Sequence, residues 1–186
     1  MARAAAPRQR RYDPERRLKI ARAVIVVVGR EGIDGLTHRA VAKEANVPLG
    51  STTYHFTNKD ELLRSAIELT QSAGREIDSK VLEQFGPETD LAAALAGLME
   101  HLTVRDRERL LFGYELYLAA RQRPGLVADA RRWDDDLQAL VGRFTDTRTA
   151  RVLVHMIEGI LVQSVVLDER CLAASVEPDF RRVLDG

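Results

Sequence analysis

A chain of 186 residues with 45% apolar and 30% charged residues is long and apolar enough to bury a core, which excludes global disorder. Its single cysteine, Cys171, excludes an internal disulfide and a cysteine-based zinc site and fits a reducing cytoplasm, the expected location. The formal net charge of zero hides an asymmetry: residues 1–64 hold 13 Lys/Arg and 7 Asp/Glu, a balance of +6, and residues 65–186 hold the other 15 Lys/Arg and 21 Asp/Glu, a balance of −6.

A basic front and an acidic back point to two tasks in two units. No apolar run precedes residue 20, so no signal peptide is expected. His155, Glu158, Gly159 and Gln163 interrupt the run from Val152 to Leu167, so no stretch reaches the roughly 18 residues of a bilayer span and no membrane partner is expected.

Residues 1–12, with Arg3, Arg8, Arg10 and Arg11 among Ala, Gln and Pro, are expected to be a basic, flexible arm. The first helix starts at Asp13 as N-cap with Pro14 behind it, and shows an apolar face of Leu18, Ala21, Val24, Ile25 and Val28 before Gly32 and Gly35 end it. Thr37 caps a second helix that buries Ala40, Val41 and Ala45, and Asn46 supplies a left-handed turn residue. Pro48 opens a short third helix, rich in Gly, Ser and Thr, that closes at Tyr54-His55-Phe56. Small polar residues on an exposed helix face suit insertion into a DNA groove, whereas Phe56 belongs to the core.

Thr57-x-x-Asp60 reads as a capping box for a long fourth helix, with Leu62, Ala66, Leu69, Ala73, Ile77 and Val81 at steps of three or four, ended by Gly86 and Pro87. A helix from Asp90 carries Leu91, Leu95, Leu98 and Leu102 on one side. Residues 108–120 are apolar nearly all round and read as buried, and Pro124-Gly125 ends them. Next, Leu126, Ala130, Trp133, Leu137, Leu140 and Phe144 recur at steps of four and three as a seam for another helix. Residues 152–167, including Ile157, Ile160 and Leu161, are apolar on every side and need a cover on the face turned from the core. A two-fold dimer through these last two helices follows; the alternative is packing within one chain. No strand pattern and no internal repeat occur, so the fold is expected to be all-α.

The first 65 residues resemble the DNA-binding domain of the TetR family of transcriptional regulators. The resemblance rests on Gly32-x-x-Gly35-x-Thr37, Val41-Ala42-x-x-Ala45-x-Val47, Gly50-Ser51, Tyr54-His55-Phe56 and Lys59-x-Glu61-Leu62-Leu63. It implies about nine helices, with a three-helix helix-turn-helix head over 13–57 and a ligand-binding and dimerisation unit over 58–186. It also implies a double-stranded DNA operator, a homodimer, a small-molecule effector and no cofactor, most often in a repressor; a protein of the same fold without operator binding is the alternative. Among the head residues, Thr37 matches a phosphate contact at a helix N-terminus, consistent with the anion affinity of such ends. Gly50, Ser51 and Thr52 match positions near base edges, Tyr54 and His55 match backbone contacts, and Lys59 matches a phosphate-contacting lysine. Arg39 is either a phosphate contact or a solvated arginine, and Arg10 and Arg11 either an arm for the minor groove or a solubilising tail. Two departures bear on the operator: Thr53 stands where an aromatic is frequent, and Leu49 where a polar or basic residue is common.

Polar or adaptable groups within the apolar helices are the candidates for a ligand pocket: Met99, His101, Phe112, Tyr114, Glu115, Tyr117, His155, Met156 and Glu158; the alternative is core packing for the aromatics and a satisfied or exposed place for each histidine. A buried carboxylate is costly unless paired, so Glu115 and Glu158 read as partners of a cationic ligand or of an internal Arg or His. Against an enzyme stands the lack of a Gly-rich phosphate loop, a Gly-x-Ser-x-Gly elbow or a His-Glu-x-x-His pair.

Overall fold

The computed structural model describes the backbone of residues 14–84 and 90–186 and the side chains of 15–72 and 90–186. The basic arm, Asp13, Gly86, Pro87 and the side chains of Ala73, Ile77 and Val81 lie outside the described residues. Those residues form nine α-helices and no strand, the all-α architecture expected.

Helix α1 (Pro14–Gly35) buries Ile20, Val24, Val27 and Val28 completely, while Leu18 is exposed. Its regular winding breaks at Gly32, where φ is +73°, a value glycine adopts without penalty. α2 (His38–Glu44) starts on Thr37, whose Oγ1 accepts the Ala40 N–H at 3.0 Å. Asn46, at φ +47°, makes the left-handed turn into α3 (Leu49–His55). Phe56 follows α3 fully buried, with the Arg17 guanidinium 4.4 Å above its ring.

α4 (Lys59–Gln84) is capped one residue later than Thr57-x-x-Asp60 suggests. Asn58 Oδ1 accepts the Glu61 N–H at 2.9 Å, and Glu61 Oε2 reaches back to the Thr57 N–H at 2.6 Å. Glu61 occupies the third helical position, and its carboxylate reaches past the Asn58 cap to the residue before it, a variant of the capping box. α5 (Leu91–Glu100) starts on Asp90, whose Oδ1 accepts the Ala93 N–H at 3.2 Å. A π-helical turn, His101–Arg105, continues it. There the buried Thr103 Oγ1 donates to Met99 O at 2.8 Å and accepts the Cys171 N–H at 3.0 Å, tying α5 to the chain far downstream.

α6 (Arg107–Ala119) is buried along Leu110, Phe112 and Tyr114, but Tyr117 and Leu118 are exposed, so it is covered on fewer sides than its composition suggests. A 3-10 turn, Pro124–Leu126, leads into α7 (Val127–Val141). α8 (Thr147–Leu167) is capped by Asp146, and α9 (Ala173–Leu184), not anticipated from the sequence, closes the chain with Val176 and Phe180 in the core.

Two apolar clusters organise these helices. The head core joins α1, α2, Phe56 and the first turns of α4, and takes in Phe112 from α6. The body core joins α5, α6, α8 and α9. Head and body meet where α1 crosses α6 at Gly29. A Cβ at that glycine would stand 3.2 Å from Leu111 Cβ, 3.3 Å from Glu108 O and 3.4 Å from Phe112 N.

Candidate nucleic-acid interface and effector cavity

The head presents α3 on its surface because the two residues that anchor it point inward. Thr52 is fully buried, and its hydroxyl donates to Leu49 O at 2.8 Å. His55 is buried too, its ring edge-on to Tyr54 at 5.1 Å and its carbonyl accepting from Arg17 Nη1 at 2.9 Å. Neither side chain lies on the exposed face of the helix, although the sequence reading matched Thr52 to base edges and His55 to the DNA backbone.

The outer face holds Leu49, Gly50, Thr53 and Tyr54, with Ser51 half-buried at its edge. No atom lies within 4 Å of the place a Gly50 Cβ would take, so that position opens onto free space. Thr37, Arg39 and Lys59 are exposed at the starts of α2 and α4. The face thus combines small uncharged groups at its centre with a tyrosine and cations at its borders. Leu49, at the start of α3, and Thr53 both lie exposed on it.

The body encloses a cavity of about 200 Å³ between α4, α5, α6, α7 and α8. Of the sequence candidates, Met99, Phe112 and Tyr117 line it. Tyr114 stands behind Tyr117 and Trp133, with ring centroids 6.4 Å from each. Glu158 is half-buried beside Tyr114 and Trp133. Glu115 turns to the head, its Oε2 3.4 Å from where a Gly32 Cβ would be, and His155 is exposed on the outer face of α8. These two therefore do not line the cavity, and nor do His101 and Met156.

The α7 stripe that the sequence reading assigned to a dimer seam borders the cavity within one chain. Ala130, Trp133, Leu137 and Leu140 line the cavity, as do Ile157 and Leu161 of α8. Leu126 packs on the head core, Ile160 on the body core, and Phe144 on a small cleft with Leu91 and Leu95. Periodicity marks an apolar stripe without saying what covers it; within one chain its residues are half-buried, with α6 and α8 across the cavity from them. The apolar stripe left uncovered belongs to α8. Val152, His155, Gly159, Val162 and Val166 are exposed and repeat at steps of three and four. α8 is also the one described helix long and apolar enough to cross a membrane by length and composition, contrary to the reading of the sequence. Its opposite face is packed into the body core through Leu153, Ile157 and Leu161.

Sequence reasoning also missed the polar clasp at the cavity's edge. Gln71 of α4 donates from Nε2 to Asp129 Oδ1 at 2.9 Å and accepts from Arg132 Nη1 at 3.1 Å, joining α4 to α7. Isolated polar residues on two distant helices carry no signal in sequence that they meet. Burial raises the Glu158 carboxyl above the ordinary carboxylate range, with the neighbouring Asp134 adding to it, and burial likewise raises Asp134. The Tyr114 phenol is pushed up by burial and then by Glu158.

Comparison with known proteins places this geometry. A family model described as "Bacterial regulatory proteins, tetR family" matches residues 20–66, and one described as "Tetracyclin repressor-like, C-terminal domain" matches residues 86–186. A solved TetR-family member from Streptomyces coelicolor A3 is 40% identical, with TM-score 0.74 over 91% of this chain and 98% of that one. The multidrug binding protein EbrR, solved in complex with ethidium, is 40% identical with TM-score 0.71 over 92% of this chain and 99% of that one. The nicotine-responsive transcriptional repressor HdnoR of Paenarthrobacter nicotinovorans is 31% identical over 111 residues, which are 59% of this chain and 57% of that repressor.

Proposed function

The chain belongs to the TetR family of bacterial regulatory proteins, and from that premise we propose that it is a homodimeric, sequence-specific DNA-binding repressor released from a near-palindromic operator by a small molecule. The observation that carries the reading is the exposed face of α3, with small groups at its centre and Tyr54, Lys59, Thr37 and Arg39 around it. Ser51 and Gly50 approach base edges, where a hydroxyl reads a donor or acceptor and a glycine admits close approach. Tyr54, Lys59, the Thr37 helix end and Arg39 hold phosphates and set the register. Thr53 lies between these groups and adds a hydroxyl or methyl contact. Thr52 and the His55 ring act from beneath, fixing the helix rather than touching DNA.

Dimerisation runs through the outer face of α8. Its valine stripe, with Gly159 at the centre, meets the same stripe of a second copy, as a two-fold contact requires. This pairing holds two α3 helices in successive major grooves, about 34–36 Å apart. A membrane role for α8 is disfavoured, because its other face is packed within the body.

The cavity takes the effector, a compact apolar and aromatic molecule of the kind EbrR holds. Two routes link it to the head. Ile67, Thr70 and Gln71 bring α4 to the cavity wall, and Phe112 lines the cavity while belonging to the head core. A ligand that displaces either helix changes the spacing of the two α3 helices, and it does so only by the difference in its affinity for the two states. Duplex binding across a salt series tests the proposal. A steep fall in affinity with rising salt, with a shallower slope for Lys59→Ala, is expected. Salt-independent binding, or none at low salt, contradicts it and favours a protein of this fold that does not bind an operator.

A further inference from the structure

We propose that Arg17 of α1 is the positioning residue of the DNA-binding face: its guanidinium locks the end of α3 to the start of α4 and so sets the distance between Tyr54 and Lys59, the two phosphate-holding groups at that junction. This rests on the reading of the α3 face as the DNA surface.

α3 needs such a lock. It has seven residues, and no side chain caps its start at Pro48. A helix this short does not hold in water by itself. At its other end the Phe56 N–H bonds Thr52 O, and the carbonyls beyond Thr52 have no partner within the helix. Arg17 reaches the last of them from α1: Nη1 donates to His55 O at 2.9 Å. A cation there also meets the negative end of the helix dipole.

The same guanidinium makes two more contacts. It stands 4.4 Å from the centroid of the Phe56 ring, which is fully buried in the head core. Nη1 also lies 4.0 Å from Glu61 Oε1. Glu61 is already fixed, because its other oxygen accepts the Thr57 N–H at 2.6 Å. That bond, with the charge of Arg17 adding to it, holds the Glu61 carboxyl below the ordinary carboxylate range, so it is charged at neutral pH.

One side chain of α1 thus grips the last residue of α3, the link after it and the first turn of α4. Tyr54 comes directly before the first of the gripped residues and Lys59 lies between the last two; both are exposed. Phosphates on a duplex stand at fixed intervals, and contacts to them set the register of the protein. A junction that shifts therefore costs both contacts together. Lysine cannot replace the lock, because its ammonium is a point charge, whereas a guanidinium stacks on a ring and donates from its edge.

The duplex enriched from a random pool by the unchanged full-length protein is the probe. It is titrated with that protein, with Arg17→Lys, with Lys59→Ala and with the double variant, well below the melting temperature of each. Arg17→Lys is expected to weaken binding about tenfold although it keeps the charge. The double variant should bind about as weakly as the weaker single one, since both changes remove the same phosphate contact, whereas the loss from Arg39→Ala on α2, whatever its size, should multiply in full with that of Arg17→Lys. A pool selected by Arg17→Lys should show the same preferred bases. Undiminished binding by Arg17→Lys means that charge alone suffices and overturns the lock. Losses from Arg17→Lys and Lys59→Ala that multiply in full overturn it too, because Arg17 then acts apart from Lys59. Failure of the unchanged protein to enrich any duplex overturns the DNA surface and this inference together.

Discussion

Gly29 is where the contact between head and body can be measured. Replacing a helical glycine by alanine ordinarily stabilises by about 1 kcal/mol through propensity. At Gly29 the new methyl meets Leu111 Cβ at 3.2 Å and the α6 backbone at 3.3 and 3.4 Å, all tighter than comfortable contact. Two of those atoms are backbone and have no rotamer to change, so α1 and α6 must separate by a few tenths of an ångström. Overpacking of this kind costs about 1–3 kcal/mol. The two effects nearly cancel, and Gly29→Ala is expected between neutral and about 2 kcal/mol destabilised. Gly29→Val brings two further methyl groups and most of the propensity gain disappears, so a loss of about 2–4 kcal/mol is expected. For a chain of this length that is a fall of about 4–16 °C in Tm. Thermal melts of the three proteins followed by circular dichroism decide it. If Gly29→Ala raises Tm by the full propensity gain and Gly29→Val trails it only by the propensity difference, α1 and α6 are not in the contact described.

Four further outcomes follow from the same geometry. Val162→Glu with Val166→Glu on α8 should give monomers in sedimentation. Leu137→Glu, which puts a charge against the cavity, should lower Tm and leave the dimer intact until the protein unfolds. Thr52→Val, which deletes the bond to Leu49 O, should cost about 1–2 kcal/mol of stability and leave base preference unchanged in a duplex panel, whereas Ser51→Ala should alter the preferred base. The Glu158 carboxyl is raised in the folded state, so its favourable contribution is present below the ordinary glutamate range and is lost as pH rises through the raised value. Glu158→Gln should therefore stabilise the protein at neutral pH, a gain that fades on acidification; a gain independent of pH would exclude this cause.

Local signals carried the turns and several helix starts. The Thr37 cap, the left-handed Asn46, the buried Phe56 and the Asp90 cap each depend on residues a few positions apart, and each stands where the sequence put it. What depends on distant partners was less legible. The α7 stripe was visible, but whether a second copy or α6 covers it is decided by the path of the chain after Pro124. The exposed stripe on α8 has the same spacing and was present in the sequence, yet its apolar surroundings on every side concealed which face stays open. Pro178, the sixth residue of α9, lacks the N–H that would bond Ala174 O, and a proline inside a segment argues against a helix in sequence. Thr52 and His55 look like surface groups from composition alone. Only the crossing of α2 and α3 turns them inward. Gly113 gave no signal until the indole of Trp133 was seen against it.

Selection of bound duplexes from a random pool, using the full-length protein, tests the central claim most directly. The account predicts an inverted repeat whose half-site centres lie about one helical turn, or a whole number of turns, apart on one face of the duplex. Enrichment of a lone asymmetric site, or of no sequence even in dilute salt, contradicts it.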